Sequence, residues 1–205
     1  MNAPRSTIVG LTGGIASGKS TAAQYLGRLG ARVVDCDRLG HRAYDPGTPS
    51  FDAVRQAFGA EVVGEDGCID RRALGGRVFG NPAEMKKLTD IVWPEIGRLA
   101  RAEMAAAPPG GITVLEAAVL FEAGWLEGLD EIWVVVADPE TAVARTMARD
   151  GLDEAAVRMR IDSQLSDEER AARADVVIDN SASLHDLHRQ LDAHWQRLLE
   201  PRRAS

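Results

Sequence analysis

The octapeptide Gly13-Gly14-Ile15-Ala16-Ser17-Gly18-Lys19-Ser20 constrains the fold of this chain more than any other feature. It fits G-x-x-x-x-G-K-[ST] and lies between an apolar run at residues 8–11 and a helix-like run at 21–29, the strand-loop-helix setting of a phosphate-binding loop. Glycines let successive backbone N–H groups turn inward around a phosphate, and the helix that follows adds the partial positive charge of its N-terminus. Gly13 through Ser20, with the adjoining Thr21, are therefore the candidate ATP-binding residues. Lys19 is expected to reach the β- and γ-phosphates, and the Ser20 hydroxyl to coordinate Mg²⁺. The loop is expected at the surface, with Lys19 serving a ligand rather than the core.

Such a loop needs a parallel sheet behind it. Apolar runs at residues 7–12, 31–35, 112–116, 131–137 and 175–178 read as buried strands separated by helix-like segments, the pattern of an α/β domain. The fold expected is a P-loop NTPase-type parallel sheet flanked by helices, in a single domain of 205 residues. Residues from about 37 to 107 interrupt it with no convincing strand, only helical patches punctuated by Asp45-Pro46-Gly47, Glu65-Asp66-Gly67 and Asn81-Pro82, which predicts a helical insertion. Asp138-Pro139 opens a helix that Gly151 closes, and the Ser166 to Glu169 spacing is that of a capping box. Two short helices before the last strand make residues from about 150 to 173 a candidate lid. The tail at 201–205 is expected to fray.

Composition excludes more than it selects. A formal charge of −7 argues against a broad nucleic-acid face, so a polyanionic ligand must meet locally placed cations. No run approaches the length of a membrane span and residues 1–7 lack an apolar leader, which predicts a cytoplasmic protein with no membrane association. Cys36 and Cys68 have neither metal-ligand nor CxxC spacing. His185, His188 and His194 lack the spacing of a zinc pair, and Trp125, Trp133 and Trp195 read as packing residues.

The loop alone leaves kinase, GTPase and motor ATPase open. Asp37-Arg38-Leu39-Gly40 matches DxxG, but it follows Lys19 by only 18 residues, and no NKxD guanine motif occurs. The second strand ends in Val34-Asp35-Cys36-Asp37, putting two carboxylates where ligands of open α/β sheets bind. Asp37 there can accept a hydroxyl proton or hold Mg²⁺, or it can simply cap a helix at 38–44. Glu116 ends an apolar strand as a second acid facing Mg²⁺.

These residues, in order, resemble the dephospho-coenzyme A kinase family. The likeness runs through Leu11 to Ile15, Ser20-Thr21, and Val34 to Asp37. It continues through Gly67 to Leu74 with Val78-Phe79, Leu120-Phe121-Glu122, Thr146 to Asp150, Arg160-Ile161-Asp162-Ser163-Gln164, and Ala174 to Asn180. It departs at Trp93-Pro94, where relatives carry His-Pro, and at Glu116-Ala117-Ala118, where they carry Asp-x-Pro.

The resemblance implies transfer of the ATP γ-phosphate, with Mg²⁺, to the ribose 3′-hydroxyl of dephospho-CoA, and no obligate protein partner. It casts Asp37 as the acceptor base, with Asp35 beside it on the substrate side, and Arg149 as a lid charge on the transferring group. The alternative for Arg149 is an exposed helix arginine paired with a nearby acid. Arg71 and Arg77 are candidates for the acceptor pyrophosphate or for surface salt bridges, and Asn180 for the adenine or for a turn. Another small-molecule P-loop kinase, acting on a nucleoside, nucleotide or metabolite, is the alternative, with a non-catalytic nucleotide sensor behind it.

Overall fold

The computed structural model describes residues 5–200; the tail expected to fray lies outside them. Along the chain the elements are β1 (Thr7–Gly13), α1 (Lys19–Arg28), β2 (Arg32–Asp35), α2 (Cys36–Arg42), α3 (Pro49–Phe58), a 3-10 turn at Ala60–Val62, α4 (Arg71–Val78) and α5 (Pro82–Ala105). They continue with β3 (Ile112–Glu116), β4 (Glu131–Val136), α6 (Pro139–Asp150), α7 (Glu154–Asp162), α8 (Asp167–Ala171), β5 (Val176–Asp179) and α9 (Leu184–Leu199). The chain divides into two compact units: residues 5–34 with 106–200 form one, and Asp35–Ala105 the other.

The larger unit is built on a sheet of order β2-β3-β1-β4-β5. β1 pairs in parallel with β3 and β4, and β4 with β5. Parallel strands covered by helices on both faces are predominantly apolar, and β1 beyond Thr7 and all of β3 are buried accordingly, with Thr12, Thr113 and Glu116 as buried polar exceptions. The register sets Leu11 beside Glu116 and Thr12 beside Val134, so the C-terminal ends of β1 and β3 come out together. The phosphate loop starts from that edge.

Helix α1 buries Ala22, Ala23 and Leu26 in a core with Val9, Leu11, Val114, Trp133, Val135 and Ile178. α9 adds Leu187, Leu191 and Trp195, one residue per turn on a single stripe. Each such side chain contributes ~1.5–3 kcal/mol on burial. Two histidines of α9 serve this packing: His188 stacks on Tyr25 at 3.8 Å between ring centroids, and His194 lies 5.5 Å from Trp133.

The caps follow their local chemistry. Asp138 accepts from the Thr141 N–H with Pro139 in the first turn, Ser166 and Glu169 form a reciprocal capping box, and Gly151 closes α6 at φ 67°.

The smaller unit is helical. α5 contacts α2, α3 and α4, and the core includes Leu39, Val54, Phe58, Leu74, Val92 and Ile96. Its only extended pairing among the described residues is one antiparallel bridge, Val63 to Ile69. α5 continues through Pro94, where no N–H is available to bond one turn back.

Candidate active site

The loop between β1 and α1 is tight, and its glycines are there for space as much as for conformation. A Cβ on Gly13 would overlap the Val135 carbonyl oxygen and stand 2.6 Å from Ser17 Oγ. Gly18 has φ 95°, and a Cβ there would overlap the Asn180 side-chain nitrogen. Ala16 also lies in the left-handed region, at φ 55°, which costs a non-glycine residue about 1–2 kcal/mol. The loop closes on itself through the Ser17 N–H, which donates to the Gly14 carbonyl at 3.2 Å.

Lys19 is not on the surface. It is 9% exposed, and its Nζ lies 2.6 Å from Glu116 Oε1, itself on a buried residue at the end of β3. The Ser20 hydroxyl donates to the same oxygen at 2.6 Å. The expectation of a loop at the surface is thus corrected at Lys19, which is buried against Glu116. Because the last residue of β3 lies beside β1 in the sheet, its carboxylate reaches the first turn of α1. One acid therefore holds both the ammonium that would face a bound phosphate and the hydroxyl that would face its divalent cation. A hydroxyl and a carboxylate are hard oxygen donors, which suits Mg²⁺, an ion that takes few protein ligands and completes its shell with phosphate and water.

Asn180, just past β5, lies under the loop. Its Nδ2 donates to the Ser17 carbonyl at 2.7 Å, and its own carbonyl accepts from Arg145 Nη2 at 3.0 Å. The side chain expected from sequence at the adenine or in a turn is thus tied to the phosphate loop. Arg145 Nη1 is buried with no hydrogen-bond partner.

The segment between α7 and α8 meets the other end of the loop. Gln164 Oε1 accepts from the Ile15 N–H at 3.2 Å. A Cβ on Gly14 would stand 3.1 Å from Asp167 Oδ1 and 3.5 Å from Arg170 Nη1. Arg170 is 1% exposed; its guanidinium donates to the Leu165 carbonyl and lies 3.4 Å from Glu122 and 3.7 Å from Asp167. Burial raises the Asp167 carboxyl above its ordinary value, while the Ala137 N–H and Arg170 oppose the rise.

Arg149 sits at the exposed end of α6 with its fork on Asp150, at 2.7 and 3.0 Å. Arg160 approaches the same carboxylate at 3.6 Å. The hydrogen bonds from Arg149, set against desolvation, hold the Asp150 carboxyl below the usual range. This is the pairing with a nearby acid weighed from the sequence.

In the smaller unit the two aspartates separate. β2 ends at Asp35 and α2 begins at the next residue, Cys36, so Asp37 lies in the helix and not on the strand. Asp35 Oδ1 accepts from the Asp37 and Arg38 N–H groups at 2.9 and 3.1 Å, so Asp35 is the N-cap. Asp37 lies exposed in the first turn of α2, neither on a strand edge nor capping a helix at 38–44. Arg71 is exposed in the first turn of α4, and Arg77, in its last turn, lies 3.6 Å from Glu61.

Gln164, Arg170 and Arg145 were not singled out as site residues from the sequence. Gln164 stood in a recognised stretch without an assigned role, and the other two were given none.

A family profile described as "Dephospho-CoA kinase" matches residues 7–186. A dephospho-CoA kinase of Geobacter sulfurreducens is 45% identical over 190 residues, covering 92% of this chain and 96% of that protein. Among solved structures, one from Thermus thermophilus aligns with a TM-score of 0.78 at 38% identity, covering 95% of this chain and 98% of the other. The dephospho-CoA kinase of Campylobacter jejuni aligns at 0.64 and 25% identity, covering 94% of this chain and 97% of its own. On the match of the profile and the extent of these identities, this chain belongs to the dephospho-CoA kinase family.

Proposed function

We infer that the chain catalyses transfer of the ATP γ-phosphate to the 3′-hydroxyl of dephospho-CoA, the reaction its family membership carries. The observation that best supports the chemistry is the shared contact of Lys19 and Ser20 with Glu116 at the mouth of the phosphate loop. Phosphoryl transfer asks little covalent chemistry of a protein and much positioning of charge.

Lys19 exchanges part of its pairing with Glu116 for the β- and γ-phosphates. Ser20 and Glu116 would hold Mg²⁺, which when bound would neutralise charge on the phosphates. Asp37 receives or orients the acceptor proton, and its freedom from the cap of α2 supports that assignment. Arg149 leaves Asp150 to meet the transferring group, a role its solvent-exposed fork permits. Arg71 and Arg77 meet the acceptor pyrophosphate.

We read the protein as cytoplasmic and without an obligate protein partner. Among the described residues no helix is long and apolar enough to cross a membrane.

The test is to offer Mg-ATP with dephospho-CoA, adenosine, shikimate or a nucleoside monophosphate, and to detect ADP and product. ADP formed only with dephospho-CoA is expected. Rapid phosphorylation of another acceptor with none of dephospho-CoA contradicts the reading.

A further inference from the structure

The stretch Arg160-Ile161-Asp162-Ser163-Gln164 has no part in the chemistry above, yet its last residue touches the phosphate loop across 149 positions of sequence. The loop works by aiming backbone N–H groups at a phosphate, so the orientation of each peptide plane matters. At Ile15 that plane is set by the side-chain oxygen of Gln164 at 3.2 Å. The next residue, Ala16, sits in the left-handed region at φ 55°, a conformation a non-glycine residue keeps only when its surroundings impose it.

Gln164 is itself fixed from behind. The capping box of Ser166 and Glu169 sets the start of α8, and Arg170 donates to the Leu165 carbonyl next to Gln164. Arg170 is 1% exposed with its Nε left without a partner, so its burial is not compensated by a complete set of hydrogen bonds. A buried guanidinium so placed orders the connection between α7 and α8.

We propose that Gln164 is a positioning residue for phosphoryl transfer, its amide oxygen orienting the Ile15 N–H of the phosphate loop and Arg170 locking the backbone from which it reaches. This rests on the loop being the phosphate cradle. Gln164 acts through the loop and makes no claim on substrate.

The experiment reads the bond and the chemistry separately. In nucleotide-free protein, Gln164→Ala should speed amide hydrogen exchange at Ile15 roughly fivefold to tenfold, the size of one hydrogen bond, with global unfolding unchanged because the side chain is only half-buried. The same variant, saturated with Mg-ATP and dephospho-CoA, should lose kcat by a similar factor while KM for dephospho-CoA stays put. Gln164→Glu retains an oxygen at the same reach and should restore Ile15 protection. Unchanged exchange in Gln164→Ala, or rapid exchange in Gln164→Glu, removes the bond from the account. Faster exchange with normal kcat makes it a structural tie and overturns the proposal. Turnover by the wild type, measured alongside, separates failure of the kinase reading from failure of this inference.

Discussion

The phosphate loop and the helical unit present their candidate residues in opposite ways. Around the loop almost every group is held by another: Lys19 and Ser20 by Glu116, the Ser17 carbonyl by Asn180, the Ile15 N–H by Gln164. In the unit Asp35–Ala105, Asp37 and Arg71 stand exposed at helix starts, and Arg77 has only a loose ion pair. The contrast separates two kinds of recognition. A triphosphate has one shape, and dipoles already aimed at it need no reorganisation as charge develops. Surface side chains that are only lightly engaged suit a long, flexible acceptor, whose binding must order them.

The largest effect should come from breaking the braced side. Lys19→Met removes the charge on the phosphates and is expected to cost ~10² to 10³ in kcat, in line with loss of one transition-state donor. It also leaves the Glu116 carboxylate, 8% exposed, without its cation. Removing one partner of a buried pair costs about 3 kcal/mol or more, so the melting temperature should fall by roughly 6–12 °C. Adding Glu116→Gln should return most of that stability and none of the activity. A single variant that melts normally shows that the pair carries no structural weight.

A smaller effect sharpens the comparison from the core behind the loop. Burial against Trp133, with Arg197 close by, lowers the His194 pKa below the ordinary 6.5, and Glu131 opposes the shift only in part. The folded state thus favours neutral imidazole. Its contribution is complete above the unfolded value and is lost as pH falls from there through the folded pKa. Stability measured between pH 7.5 and 5 should therefore decline on the acid side, and His194→Gln should flatten that part of the decline. An unchanged slope in the variant assigns the acid sensitivity to other groups.

The smallest effect concerns Ala16, whose φ of 55° suits glycine better. Ala16→Gly relieves strain but enlarges the freedom of the unfolded chain, so a gain of about 0.5–1 kcal/mol is expected. A drop in melting temperature would show that the surrounding bonds, not tolerance of strain, set this backbone.

The sequence carries the parts of this picture that are local. Five apolar runs become five strands because strands of a helix-covered parallel sheet are predominantly apolar. The loop is legible for a similar reason, since its glycines, lysine and serine act within eight consecutive positions. Glu116 is legible as an acid ending a buried strand, though its grip on Lys19 is not, because that depends on β1 and β3 being neighbours. The cap of α2 hangs on a boundary shift of two residues, and pattern alone could not choose between Asp35 and Asp37. Gln164 and Arg170 are beyond reach altogether: a glutamine in a short connection and an arginine on a short polar helix look like solvent-facing residues until the fold sets them against Gly14 and Ile15.

The separation of a braced, structural group from a free, chemical one is tested most directly at the two aspartates. Asp35 and Asp37 are two residues apart, and only Asp35 accepts the N–H bonds that start α2. Measuring kcat with dephospho-CoA beside the melting temperature, Asp37→Asn should cost ~10² in turnover and leave stability nearly unchanged, the low end for general-base help because the transfer is loose. Asp35→Ala should instead lower stability by about 0.5–2 kcal/mol through loss of the cap. Near-normal turnover in Asp37→Asn together with a lowered melting temperature would contradict the account and make Asp37 the structural residue of the pair.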